Sequence, residues 1–284
     1  MNSKVALITG ATSGIGLQTA VDLARLSFDI YITGRDSKRA ESALEQINQV
    51  RSDAGKGYFI ADFASRKSIE QATQNINDSI SHIDVLVNNA GAAFGKKEMT
   101  EEGIEKTFAV NHLGPFIFTH ALLPILLTNA KARIVNVASA AHYAANLRID
   151  DVSNPVRYHP LKAYATSKLA NILFTYKLSQ KLQGRNISVN CLHPGVVKTR
   201  IGNKHTGILS GLAWSVFANF KGVSVEQGAS ASVFLASSKR AVEYNGMYFH
   251  RSEPRKSSAL SYNADLQNAL WHLGEDLTDI KQYL

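Results

Sequence analysis

Seven short runs of β-branched and apolar residues lie at 5–9, 28–33, 57–62, 85–88, 133–138, 187–193 and 247–250. They alternate with apolar-periodic stretches at 16–26, 38–50, 67–81, 102–127, 162–182 and 225–236. Runs that are apolar along their whole length are buried on both faces, and strands separated by helices return parallel. The pattern predicts an α/β fold: one doubly wound parallel sheet of seven strands with helices on both faces. Pro115 and Pro124 predict that the fourth helical stretch is a kinked or broken pair. No repeat or linker interrupts the alternation. Residues 1–250 therefore read as one domain with an insertion at 199–222, and 251–284 as an extension packed on the same domain.

Composition narrows the function classes. The 284 residues are 45% hydrophobic and 19% charged, which excludes wholesale disorder. The lone Cys191 excludes an intrachain disulfide. A net charge of +8 suits anionic partners, but no run of five like charges exists, so no nucleic-acid partner is expected. No apolar run reaches transmembrane length, and the run at 5–8 is too short for a signal peptide. The expectation is a chain without a transmembrane anchor, cytoplasmic or peripheral to a membrane. The nine histidines show no His-x3-His pair, so no metal site is expected.

The first run is followed by Gly10-Ala11-Thr12-Ser13-Gly14-Ile15-Gly16 and then by a helical stretch. Between a strand and a helix, glycines let the backbone approach a pyrophosphate, and the helix N-terminus receives its charge. Gly10, Ser13, Gly14, Ile15 and Gly16 are thus predicted to cradle a dinucleotide, as in Rossmann-type domains.

The glycine spacing is Gly-x3-Gly-x-Gly, preceded by Thr9. Asn88-Asn89-Ala90-Gly91 closes the fourth strand and Ser139 the fifth. Tyr164-Ala165-Thr166-Ser167-Lys168 follows, and His193-Pro194-Gly195 closes the sixth strand. On these residues the chain resembles the short-chain dehydrogenase/reductases from about residue 4 to 249. The insertion at 150–162 resembles the retinol-dehydrogenase-like branch.

Tyr164 and Lys168 are four apart and share a helix face. Tyrosine titrates near about 10, and a neighbouring ammonium is expected to lower that value toward the working range of a general acid. The resemblance implies hydride transfer between a nicotinamide and a carbonyl or alcohol. It makes Tyr164 the proton donor, Ser139 the substrate-orienting hydroxyl, Lys168 a contact of the nicotinamide ribose, and Asn111 the holder of a relay water. It also implies cofactor contacts from Asp62, Phe63, Asn89, Ala90, Gly91, Pro194, Gly195, Val197 and Thr199. His112, beside Asn111, is read as structural.

The second run ends in Gly34-Arg35-Asp36. NAD-selective sites place a carboxylate at this strand end. Gly34 offers none, and Arg35 can pair with a 2′-phosphate, so NADP(H) is the expected cofactor. NAD(H) is the alternative if Asp36 faces the ribose, but Asp36 also reads as the N-cap of the next helix. Apolar residues at helical spacing over 208–220 suggest a lid, and the resemblance implies a lipophilic carbonyl or alcohol substrate. Monomer and homo-oligomer stay open. The competing reading is a regulatory protein that binds cofactor with little turnover; intact Asn111, Ser139, Tyr164 and Lys168 argue against it.

Overall fold

A computed structural model of the chain describes residues 3–129, 131–195, 222–281 and 283. In chain order the first strands and helices are β1 (Lys4–Ile8), α1 (Gly14–Arg25), β2 (Phe28–Gly34), α2 (Ser37–Val50), β3 (Gly55–Ile60), α3 (Arg66–Ser79) and β4 (Val85–Asn88). There follow α4 (Lys106–Phe108), α5 (Gly114–Leu127), β5 (Ala132–Val137), α6 (Pro160–Lys181) and β6 (Ile187–His193). The described chain then gives α7 (Val225–Ser237), β7 (Tyr248–His250), β8 (Glu253–Arg255) and α8 (Ala264–Thr278).

The strands form one sheet in the order β3-β2-β1-β4-β5-β6-β7-β8. β1 pairs in parallel with both β2 and β4, so the strand order reverses beside β1. In open α/β sheets that reversal opens a crevice at the carboxyl ends of the strands, where ligands bind. All seven expected strands are present. The sheet has an eighth, because β8 folds back antiparallel on β7. β8 is fully exposed and carries Pro254, which an edge strand tolerates. Part of the stretch read as an extension beyond 250 is therefore sheet.

Side chains alternate across the sheet as the pleat requires. Leu7, Leu86, Ile134 and Val189 join a core with α3, α5 and α6 residues such as Ile76, Phe118 and Phe174. Ala6, Ile8, Val87, Val135 and Leu192 face the other way, onto Leu23 of α1, Ile47 of α2 and Leu235 of α7. Trp271 of α8 and Tyr283 belong to the first core, and the Tyr283 hydroxyl donates to the Phe116 carbonyl at 2.7 Å.

The fourth helical stretch is continuous from Lys106 to Leu127, and its prolines neither break nor end it. A single π-helical turn, Ala109–Leu113, joins α4 to α5. Pro115 follows the π turn directly, inside the continuous helical stretch, and Pro124 sits inside α5 without ending it. The sequence suggested that no segment could span a membrane. The joined stretch Lys106–Leu127 is in fact long and apolar enough, and 72% of its most apolar window is buried inside the fold. It is a core helix packed under the sheet.

Candidate active site

The glycine-rich turn leaves β1 in the crevice. Gly10 and Gly14 have φ of +63° and +59°, left-handed values that side-chain-bearing residues rarely adopt. The turn is pinned on both sides. Toward β2, the Gly10 and Ala11 N–H groups donate to the Thr33 hydroxyl at 3.3 Å and the Thr33 carbonyl at 3.2 Å. Toward β4, the Asn89 side-chain amide donates to the Thr9 carbonyl at 2.8 Å, and the Asn89 and Ala90 N–H groups both donate to the Thr9 hydroxyl at 3.0 Å. Ser13 stands at the N-cap of α1 without making a side-chain cap, so the first-turn N–H groups have no side-chain acceptor there. Ile15 is buried against Ala229 and Val223 and anchors the helix start. These residues fit a dinucleotide: a Cβ on Gly10 would lie 2.9 Å from Ala90 Cα, and one on Gly16 would lie 2.4 Å from Asn89 Nδ2. Neither position has room for a side chain, because the turn packs directly on the Asn89-Ala90 segment after β4.

At the end of β2, Asp36 caps α2 by accepting the Arg39 N–H at 2.9 Å, while Arg35 is exposed. Past β3, Asp62 accepts the Ala64 N–H at 3.0 Å. The Phe63 side chain is 5% exposed and packs in the core against Phe118, so only its backbone is placed for a ligand. Past β6, the Gly195 N–H donates to His193 Nδ1 at 3.2 Å, with Pro194 between them. Val197, Thr199 and the expected lid at 208–220 lie outside the described residues.

The second half of the site hangs on α6 and the π turn. Tyr164, Ser167 and Lys168 all lie on the buried face of α6. Asn111 sits in the π turn, where its carbonyl oxygen accepts the Ala92 N–H at 2.7 Å. Its amide nitrogen donates to the Ala92 carbonyl and to the Ser167 hydroxyl, both at 2.9 Å. Ser167 in turn donates to the Tyr164 carbonyl at 2.8 Å. Such π turns often mark functional sites because they re-aim one side chain. Lys168 Nζ donates to the Val137 carbonyl at 3.0 Å. A point built as Cβ on Gly91 would be 3.2 Å from Asn111 Oδ1 and 3.3 Å from Lys168 Nζ, so the Asn-Asn-Ala-Gly block meets both residues at one spot.

Ser139 closes β5. Its hydroxyl accepts the Ala141 N–H at 3.2 Å, capping a short 3-10 turn, and lies near enough to Tyr164 to favour its phenolate. Capping and site contact thus coexist on one oxygen. The Ser139 carbonyl accepts His142 Nδ1–H at 2.7 Å, while His142 Nε2 accepts the Ser258 N–H at 3.1 Å. Those two bonds fix a neutral imidazole, and burial holds its pKa below the ordinary histidine value.

The electrostatics differ from the expectation for Tyr164. Burial raises its pKa above the ordinary tyrosine value, and Ser139 only partly opposes that. Burial also pushes Lys168 down to about 8. Both shifts follow from removing the groups from water, and Lys168 Nζ lies 5.7 Å from the centre of the Tyr164 ring.

The structure thus brings Asn111, Ser139, Tyr164 and Lys168 to one end of the crevice and the glycine-rich turn to the other. Thr9, Ser167 and His142 also shape the site, although the sequence assigned them no role. Thr9 and Ser167 lie within the quoted motifs, but His142 carries no such signal.

A family model for short chain dehydrogenase matches residues 4–207. Human retinol dehydrogenase 13 is 36% identical over 278 residues, covering 94% of this chain and 82% of the relative. Human polyprenol dehydrogenase is 34% identical, covering 98% of this chain and 86% of the relative. Among solved structures, an uncharacterized protein from Mycobacterium paratuberculosis matches with a TM-score of 0.76 at 30% identity, over 97% of this chain and 93% of that one. The chain belongs to the short chain dehydrogenase family, in its retinol-dehydrogenase-like branch, and is a nicotinamide-dependent oxidoreductase acting on CH–OH groups.

Proposed function

We propose that this chain is an NADP(H)-dependent oxidoreductase that interconverts a lipophilic aldehyde or ketone with its alcohol. The observation that carries the reading is the meeting of Asn111 Oδ1 and Lys168 Nζ beside Gly91, with Tyr164 buried on the helix of Lys168 and Ser139 at the end of β5, in the crevice that also holds the glycine-rich turn. When bound, the nicotinamide supplies or accepts the hydride. The protein's own residues manage the oxygen. Ala141 occupies one lone pair of the Ser139 hydroxyl, so its proton is free to swing toward Tyr164 or a substrate oxygen. Tyr164, held above its ordinary pKa, carries its proton at neutral pH and gives it to the carbonyl oxygen in reduction. Lys168 and Asn111 flank the point beside Gly91, where a relay water would return that proton.

Three residues support the cofactor choice: Gly34 has no carboxylate, Arg35 is exposed next to it, and Asp36 is engaged in a helix cap. Asp62, Phe63, Asn89, Ala90, Pro194, Gly195, Val197 and Thr199 would complete the cofactor contacts. The lipophilic substrate class rests on the relatives, one a retinol dehydrogenase and one a polyprenol dehydrogenase. The experiment is a panel of aldehydes and ketones of rising chain length, assayed with NADPH and NADH in wild type and Arg35→Ala. Wild type should prefer NADPH, and Arg35→Ala should weaken NADPH about 10- to 150-fold with little change for NADH. An NADH preference that Arg35→Ala leaves untouched would sink the cofactor assignment. A kcat/KM that does not rise with chain length would sink the substrate class.

A further inference from the structure

We infer that Thr12 determines cofactor choice by forcing position 34 to be glycine. This rests on the NADP(H) reading above and supplies the residue that enforces it. Gly34 is buried at the end of β2. A Cβ built there would lie 2.4 Å from the Thr12 Cγ2 methyl, 3.7 Å from its Cβ and 3.9 Å from its hydroxyl. Only the methyl obstructs, because the other two separations are ordinary van der Waals contacts.

The methyl has little freedom to withdraw. Threonine is branched at Cβ and has few χ1 choices. The loop cannot carry it away either, because the Gly10 and Ala11 N–H groups, just before it, are bonded to the hydroxyl and carbonyl of Thr33, just before Gly34. Thr12 and residue 34 are thereby held face to face. The consequence is chemical. An aspartate or glutamate at 34 would accept the ribose hydroxyls of NAD and repel a 2′-phosphate. With the Thr12 methyl in this rotamer no such side chain fits, and the strand end stays uncharged beside the exposed Arg35. One methyl group in the glycine-rich loop therefore decides which residues the second strand can use to read the ribose.

The test is a double-mutant cycle on the full chain. Kd for NADPH and NADH would be measured by cofactor fluorescence in wild type, Thr12→Ala, Gly34→Asp, Thr12→Ala/Gly34→Asp and Thr12→Val/Gly34→Asp. Gly34→Asp alone should weaken both cofactors about tenfold or more, as overpacking does. Adding Thr12→Ala should bring NADH affinity to or above the wild-type level while NADPH stays weak. Adding Thr12→Val, which keeps the branched shape, should leave Gly34→Asp unrescued. A Gly34→Asp variant that switches to NADH unaided, with Thr12→Ala adding nothing, overturns the inference.

The wedge itself is read without cofactor. Gly34→Ala should lower Tm, and Thr12→Ala/Gly34→Ala should restore it. A native Tm for Gly34→Ala also overturns the inference. Failure of the cofactor reading looks different: wild type prefers NADH and Arg35→Ala is neutral, while the Tm cycle still shows the clash.

Discussion

At the carboxyl ends of β1 and β2 the site is made of missing side chains; beside β5 and α6 it is made of buried ones. Gly10 and Gly14 take left-handed backbone, and Gly34 ends its strand with no room for a Cβ. Across the crevice, Asn111 is 0% exposed, Ser167 0%, Lys168 4% and Tyr164 7%, each tied to a neighbour. The first half is shaped to let a charged backbone come close. The second spends desolvation on keeping a few polar groups in fixed positions and shifted in pKa. The two halves should therefore fail in opposite ways: the cradle when atoms are added, the catalytic end when they are removed.

Removing one oxygen gives the largest expected effect. Tyr164→Phe should lower kcat about 10²- to 10⁴-fold, the usual worth of a general acid. Cofactor Kd should stay within a few-fold, because no part of the glycine-rich turn is touched. A variant that keeps more than half its turnover removes Tyr164 from the proton step. Adding atoms gives the next largest. Gly14→Val imposes a branched side chain on a φ of +59°, which costs about 1–3 kcal/mol; a free loop that relaxes out of this conformation must regain it on binding, which lowers cofactor affinity by up to roughly 5- to 150-fold. kcat at saturating cofactor should change far less than Kd. If kcat falls and Kd does not, the two halves are not separable as described.

The same contrast explains what the sequence made legible. Strands β1, β2 and β4 to β7 stood out because they are mostly buried and apolar, whereas β3 has no buried residue and showed through its place in the alternation. β8 did not, since three exposed residues with a central Pro254 carry no such pattern. The glycine-rich turn is local, so its spacing was enough. The catalytic end joins β4, the π turn, β5 and α6, and only its motif residues could be picked out. The π turn was hidden because Val110, His112 and Leu113 keep an apolar periodicity, while Pro115 and Pro124 drew attention away from it. Tyr164 and Lys168 stand out because their spacing comes after the glycine-rich turn, the Asn-Asn-Ala-Gly block and Ser139. That spacing says nothing about burial, and burial reverses the expected direction for Tyr164.

Asn111 tests whether the catalytic end is also a structural joint. Its side chain satisfies both backbone groups of Ala92 and the Ser167 hydroxyl. Asn111→Ala leaves the half-buried N–H and carbonyl of Ala92 without this partner, at up to about 1–3 kcal/mol for each unpaired group, while Ser167 keeps its bond to the Tyr164 carbonyl. Thermal unfolding should show the loss at every pH, in addition to any loss of turnover. An unchanged Tm would mean that water replaces the amide at no cost.

His112 offers the smallest and cleanest contrast, because it neighbours Asn111 yet belongs to the core. Its ring lies 5.1 Å from Phe108, 6.4 Å from Phe116 and 6.0 Å from Phe174. Burial holds its pKa at about 4, with Asn171 opposing. The ordinary value is 6.5, so between pH 6.5 and 4 the unfolded chain takes up a proton that the folded chain refuses. Stability therefore falls as pH drops through that window and owes nothing to His112 above it. His193, also held at about 4, acts with the same sign. His112→Phe should flatten the acid limb of a plot of Tm against pH without abolishing it. The difference at pH 5 is about 1–2 kcal/mol, or roughly 2–8 °C for a domain of this size. The replacement also deprives Asn171 of its polar neighbour, a cost that does not vary with pH, so the slope and not the absolute Tm is the readout. A slope identical to wild type would show that folding does not shift the pKa of His112.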